Sequence, residues 1–169
     1  MDFLQNPHVW SRFLHLLGAV LWMGAAWSIA GDAKRALQNA ENGGELLLGR
    51  LGRNVWLVTF GMILAMATGA WLIMLGGGMK AYPFKSDVDP SLSKWHIHIS
   101  MSLVLLAFVL QLILVLPAWG KVKAGVEAGG EEARQALGKA KLMAAGTGVG
   151  QLIWTVVLLL MLASIYGTK

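Results

Sequence analysis

The 169-residue chain contains no cysteine, which excludes disulfides, thiolate-bound zinc and cysteine-held iron–sulfur clusters. Charge is also scarce. Asp, Glu, Lys and Arg supply 14 % of residues, where a soluble domain carries about a quarter. None of the nine acidic residues falls inside an apolar run, so the carboxylate relay of an ion pump is missing. No nucleotide-binding motif is present either, which argues against coupling to ATP.

Apolar residues are what the chain has in quantity: 56 % of it, with a mean hydropathy of +0.60. They gather in four blocks, at about 9–29, 54–75, 97–119 and 143–166. Each block has roughly the 20 residues an α-helix needs to cross a ~30 Å hydrocarbon core. The expected fold is all-α, an integral membrane four-helix bundle forming one domain over 1–169. The first block does not read as a cleaved signal peptide. It lacks a basic leader and an A-x-A site, and it carries Arg12 and His15.

The formal charge of +5 lies in segments flanking the spans, a topology signal rather than a nucleic-acid surface. Loops one and three hold nine Lys and Arg, and the other side holds five, among them Arg12, Lys80 and Lys85. This bias predicts both termini outside, in a multi-pass protein of a bacterial-type inner membrane surrounded by lipid. Trp10, Trp56, Trp71, Trp95, Trp119 and Tyr166 fall near the predicted boundaries, as an aromatic belt does. A charged amphipathic stretch, 32–51, is expected along the cytoplasmic surface. Asp89-Pro90 reads as a helix start, and helix three is expected to end near Pro117 or Trp119.

All four histidines belong to one side: His8 and His15 on helix one, His96 and His98 opening helix three in "KWHIHISM". Ionisable groups in spans are costly and mark candidate sites. At ~100° per residue His8, Arg12, His15, Ala19, Trp22 and Ala26 share one face. His96 shares its face with Ser100, Ala107 and Gln111, a small polar stripe suited to a bundle interior. His98 shares its own with Ser102, Leu105, Val109 and Leu116, a lipid-like face. Both pairs are expected at similar depth, with the alternative that His15 sits a turn or more deeper than His96, which would tilt a heme spanning them. Imidazoles from two helices suit a b-type heme, or a copper or zinc ion. Arg12, one turn outward from His15, is placed to pair a heme propionate. Nine methionines, with Met23, Met62, Met66, Met74, Met101 and Met161 in spans, favour copper, or simply pack in lipid. His15 has its own plainer reading, a hydrogen bond across helices to a serine or carbonyl. "GTGVG" (146–150) is a GxxxG motif that fits internal helix packing better than a dimer face.

The segments "FLHLLGAVLWMGAAW" (13–27), "TFGMILAMATGAWL" (59–72) and "WHIHISMSLVLLAF" (95–108) resemble the first three helices of the HemJ/CopD-like membrane proteins. That group includes HemJ-type protoporphyrinogen oxidases and CopD-type copper-resistance permeases. The resemblance implies a heme-related role for His15, followed by Trp22, and a second important position at His96. His98 stands where HemJ-like proteins have a lysine, and their Asn-x-x-Pro in helix four is missing here. The leading expectation is therefore b-type heme held by His15 and His96, with His98 and Arg12 beside it. Its role would be electron transfer, with a larger redox complex or a second copy as partner. HemJ-like porphyrinogen oxidation and CopD-like copper movement are the alternatives.

Overall fold

The computed structural model describes residues 6–78 and 94–166. Four long helices make it up: α1 (Pro7–Gln38), α2 (Gly44–Leu75), α3 (Trp95–Ala128) and α4 (Gly130–Tyr166). Each is long and apolar enough to cross a membrane, which makes the chain an all-α, four-helix, multi-pass membrane protein. Asn6 caps α1 through its side chain, which accepts from the His8 amide at 2.9 Å, and Pro7 takes the first helical position. The Asp89-Pro90 start signal lies outside the described residues.

Two antiparallel hairpins, α1–α2 and α3–α4, have their short turns at the same end of the bundle. Gly43 (φ 92°) closes the first turn and Gly129 (φ 72°) the second, both at a positive φ that glycine adopts without strain. The other end carries the starts of α1 and α3 and the ends of α2 and α4.

The helices outrun the apolar blocks. At ~1.5 Å per residue, the 32 residues of α1 or α2 span about 48 Å, well beyond a ~30 Å core. The charged stretch 32–51 is not a ribbon along the surface: α1 runs on unbroken to Gln38, and α2 begins at Gly44. Alanines and leucines continue the inner stripe there. Ala33, Ala36, Leu37, Leu51, Val122, Val126, Ala133 and Ala140 are all buried, a second storey of core at the turn end. Along the spans the outer face is apolar instead, with Phe13, Leu16, Trp27, Phe60 and Leu159 more than half exposed, as lipid contact requires.

Helix α3 also continues past the expected stop at Pro117. A proline lacks an N–H and crowds the carbonyl four residues back, which usually breaks a helix. Here a π turn over Gln111–Val115 precedes it, the Leu116 amide bonding to the Gln111 carbonyl, and the wider turn carries the chain to Ala128. Gln111 is buried, and its Nε2 donates to Thr59 Oγ1 on α2 at 3.1 Å.

The α1–α2 interface is the largest in the bundle. Gly18 and Gly61 bring the two backbones together, so that a Cβ on Gly61 would lie 2.6 Å from the Trp22 nitrogen. Toward the turn end, Asn54 Nδ2 donates to Ser28 Oγ at 2.6 Å, and Arg50 grips Asp32 with both Nε and a terminal nitrogen. Asp32 is 2 % exposed, whereas the Arg50 side chain is 46 % exposed. The two halves of this pair are therefore unequal. Arg50→Ala leaves a buried carboxylate with no counter-charge, whereas Asp32→Ala leaves a guanidinium that reaches water. Arg50→Ala should lower the melting temperature in detergent more than Asp32→Ala; the reverse order would mean that Asp32 is solvated.

The GTGVG motif serves internal packing, as read from the sequence. A Cβ on Gly146 would lie 2.8 Å from Val115 Cγ2 on α3, and one on Gly150 would lie 3.9 Å from Trp22 Nε1 on α1. Gly148 faces open space.

Candidate functional site

His15 sits on α1 against α2, half-buried. Its Nδ1 lies 2.8 Å from the Ala65 carbonyl oxygen. A carbonyl only accepts, so Nδ1 must carry the proton and the neutral ring's Nε2 keeps its lone pair. Thr68 Oγ1 stands 3.4 Å from the same nitrogen and donates to the Leu64 carbonyl at 2.6 Å. One turn outward, the buried Ser11 hydroxyl donates to the Thr68 carbonyl at 3.2 Å. Gly69 makes room for the ring: a Cβ there would lie 3.2 Å from His15 Cε1 and 3.4 Å from Nδ1. The imidazole is thus fixed in place, plane and tautomer by α2.

The buried stripe of α1 runs through Ser11, Gly18, Trp22, Ala26 and Ile29. It is centred one residue earlier than the face drawn from the sequence. His15, Trp22 and Ala26 stay near it, Arg12 falls on the exposed flank, and His8 and Ala19 are half-buried. Gly18 is taken up by the contact with α2, so it widens no slot for a flat ligand.

On α3 the expected faces reappear below the histidines. Ser100, Ala107 and Gln111 are buried, and Ser102, Leu105 and Val109 are exposed, whereas Leu116, read as part of the lipid face, is half-buried against the core. His96 and His98 are both half-buried, so exposure does not separate them. The Trp95 and His96 rings meet edge to face, with centroids 6.1 Å apart. The Ser100 hydroxyl, one turn along α3 from His96, is buried without a hydrogen-bond partner among the described residues.

Depth separates the two histidine pairs. Gln111 meets Thr59, and Gly146 meets Val115; Trp154 Nε1 donates to the Ala19 carbonyl at 3.1 Å. These contacts, with that of His15 on Ala65, set His15 level with residues 103–105 of α3. His96 lies roughly two helical turns nearer the end that carries the starts of α1 and α3, about 10–13 Å at ~1.5 Å per residue. It is level with the first turn of α1, near His8. Similar depth therefore does not hold for His15 and His96. Helix α1 starts eight residues before His15, and α3 is described as starting one residue before His96. The arrangement does not bring His15 and His96 together as an axial pair.

Met62 and Met143 are core residues, while Met74, Met101 and Met161 are exposed. Among the described residues, no group of three or more His, Cys, Asp or Glu is placed to hold a metal ion. The sequence reading missed the polar partners of its own candidates. Ala65 acts through a backbone carbonyl, which leaves no mark in residue type. Ser11 and Thr68 at helical positions facing a histidine were the available signal. No family model, no curated protein and no solved structure matches the chain.

Proposed function

We propose that this is a membrane heme protein that holds a b-type heme through His15 in the outer half of the bundle and serves electron transfer. The hydrogen bond from His15 Nδ1 to the Ala65 carbonyl carries this reading. Iron-ligating histidines commonly donate their other ring N–H to a carbonyl or carboxylate, which fixes the ring and raises its basicity. His15 has that arrangement, with Nε2 free to bind. When bound, the heme supplies a one-electron couple. The chain's own residues do the rest. Ala65 and Thr68 orient the imidazole, Gly69 gives it room, and Arg12 supplies an exposed positive charge one turn outward for a carboxylate. Trp22 and the α1–α2 seam keep water from the inner side.

The resemblance to HemJ/CopD-like proteins supports the same histidine. Electron transfer implies a redox partner in the membrane or a second copy of the chain. The excess of Lys and Arg at the turn end supports placing that end in the cytoplasm of a bacterial-type inner membrane. The α3 histidines, at the level of His8, belong to the outer mouth of the bundle rather than to the iron. HemJ-like oxidation and CopD-like copper movement gain no observation of their own from the geometry.

The test is the absorption spectrum of protein purified from heme-replete cells. A Soret band that shifts on dithionite reduction is expected. A colourless protein that also fails to take up added hemin would overturn the reading.

A further inference from the structure

We propose that the seam between the water-side ends of α3 and α4 binds the headgroup of an anionic phospholipid, with Lys121 and Lys139 as its charged contacts. The two helices are held in a fixed antiparallel register. A Cβ on Gly125 would meet that of Ala136 at 2.6 Å, and one on Gly146 would meet Val115 at 2.8 Å. That register sets Lys121 and Lys139 across from each other. Both line a surface cleft of about 330 Å³ whose floor is small, built from Ala124, Gly125 and Ala136.

Depth and charge both point to a headgroup. The lipid-like exposed face of α4 reaches inward to Leu142, and α3 is exposed at Pro117. Lys121 and Lys139 stand about one turn beyond those residues, where the phosphates of a bilayer lie. Two other cations of this hairpin have carboxylate partners, Lys123 with Glu127 at 3.8 Å and Arg134 with Glu131 at 3.7 Å, and Lys141 lies outside the lining of the cleft. Among the described residues, Lys121 and Lys139 have no carboxylate within ion-pair distance. Gln135 and Glu132 continue the lining of the cleft about one and two turns from Lys139. They offer hydrogen-bonding groups to the hydroxyls of a glycerol headgroup. Basic pockets between spans at the cytoplasmic face are suited to such lipids.

The experiment titrates the full-length, detergent-solubilised protein with phosphatidylglycerol or phosphatidylcholine and reads bound lipid by native mass spectrometry. Each lysine near an anionic headgroup is worth roughly fivefold in affinity. Lys121→Gln with Lys139→Gln should therefore weaken phosphatidylglycerol about thirty-fold and leave phosphatidylcholine unchanged. Lys121→Arg with Lys139→Arg should retain binding, and Lys123→Gln should have no effect. Binding that survives the glutamine pair overturns the proposal, as does equal weakening by Lys123→Gln. Displacement of the lipid by millimolar inorganic phosphate would overturn it too, by showing a site for a soluble anion. If the glutamine pair fails to fold, the two single glutamine variants and the arginine pair decide.

Discussion

Gly61→Leu is expected to destabilise the folded bundle severely. A Cβ at position 61 would lie 2.6 Å from the Trp22 nitrogen and 2.8 Å from the Gly18 oxygen. The neighbours are backbone atoms, which cannot rotate away as a side-chain tip does. The reciprocal contact is as tight, Gly18 against the Ala65 nitrogen at 2.6 Å. To admit the side chain, α1 and α2 must separate along a seam that also carries the His15, Ser11 and Asn54 hydrogen bonds. Overpacking a well-filled core typically costs about 1–3 kcal/mol, and a backbone-to-backbone contact lies at or above the top of that range. Total stability is commonly only about 5–15 kcal/mol. Size-exclusion chromatography in mild detergent should show loss of the monodisperse peak. Gly24→Leu is the control, since nothing lies within 4 Å of a Cβ there. Equal behaviour of the two variants would refute the close approach.

The second large effect is expected at His15. His15→Ala should remove the heme spectrum from a bundle that remains folded, because the ring contributes one hydrogen bond to the seam and Ser11 supplies another. An interhelical hydrogen bond in a membrane is typically worth about 0.6–2 kcal/mol, too little to unfold the protein when lost. His96→Ala and His98→Ala, about two turns further out, should leave the spectrum in place. Gly69→Val gives an intermediate expectation. Its side chain presses on Cε1 and Nδ1 of the ring, so bound heme should show a shifted Soret maximum and midpoint potential without loss of the fold. If His96→Ala removes the spectrum and His15→Ala keeps it, the iron sits at the outer mouth of the bundle instead.

Four spans, their order and the inner face of α3 below its histidines were legible because hydropathy blocks and helical spacing are written directly in residue type. Ser100, Ala107 and Gln111 behave as their periodicity demanded. Helix ends were less legible. The apolar blocks mark only the segments apolar enough to span, whereas α1 and α4 continue beyond them on buried alanine stripes such as Ala33–Ala36 and Ala133–Ala136–Ala140. Pro117 signalled a stop that a π turn upstream absorbs. Depth was only half legible, the expectation of level pairs standing beside that of a deeper His15. Two histidines near the starts of two apolar runs look level, yet relative depth depends on where each helix begins and on contacts such as Gln111 with Thr59, which are set by packing. The role of His15 was half legible. Its type and face singled it out, but the carbonyl that fixes its tautomer belongs to Ala65, a residue without polar side-chain chemistry.

The most direct measurement is an equilibrium hemin titration of purified wild-type and His15→Ala proteins, followed by absorption and by thermal melting of each sample. The wild type should take up one equivalent with a sharp Soret band that shifts on reduction, whereas His15→Ala should melt as a folded protein yet show only the broad band of unliganded hemin. Identical titrations of the two proteins, or no saturable uptake by the wild type, would contradict His15 as a heme ligand and leave its imidazole as a stitch between α1 and α2.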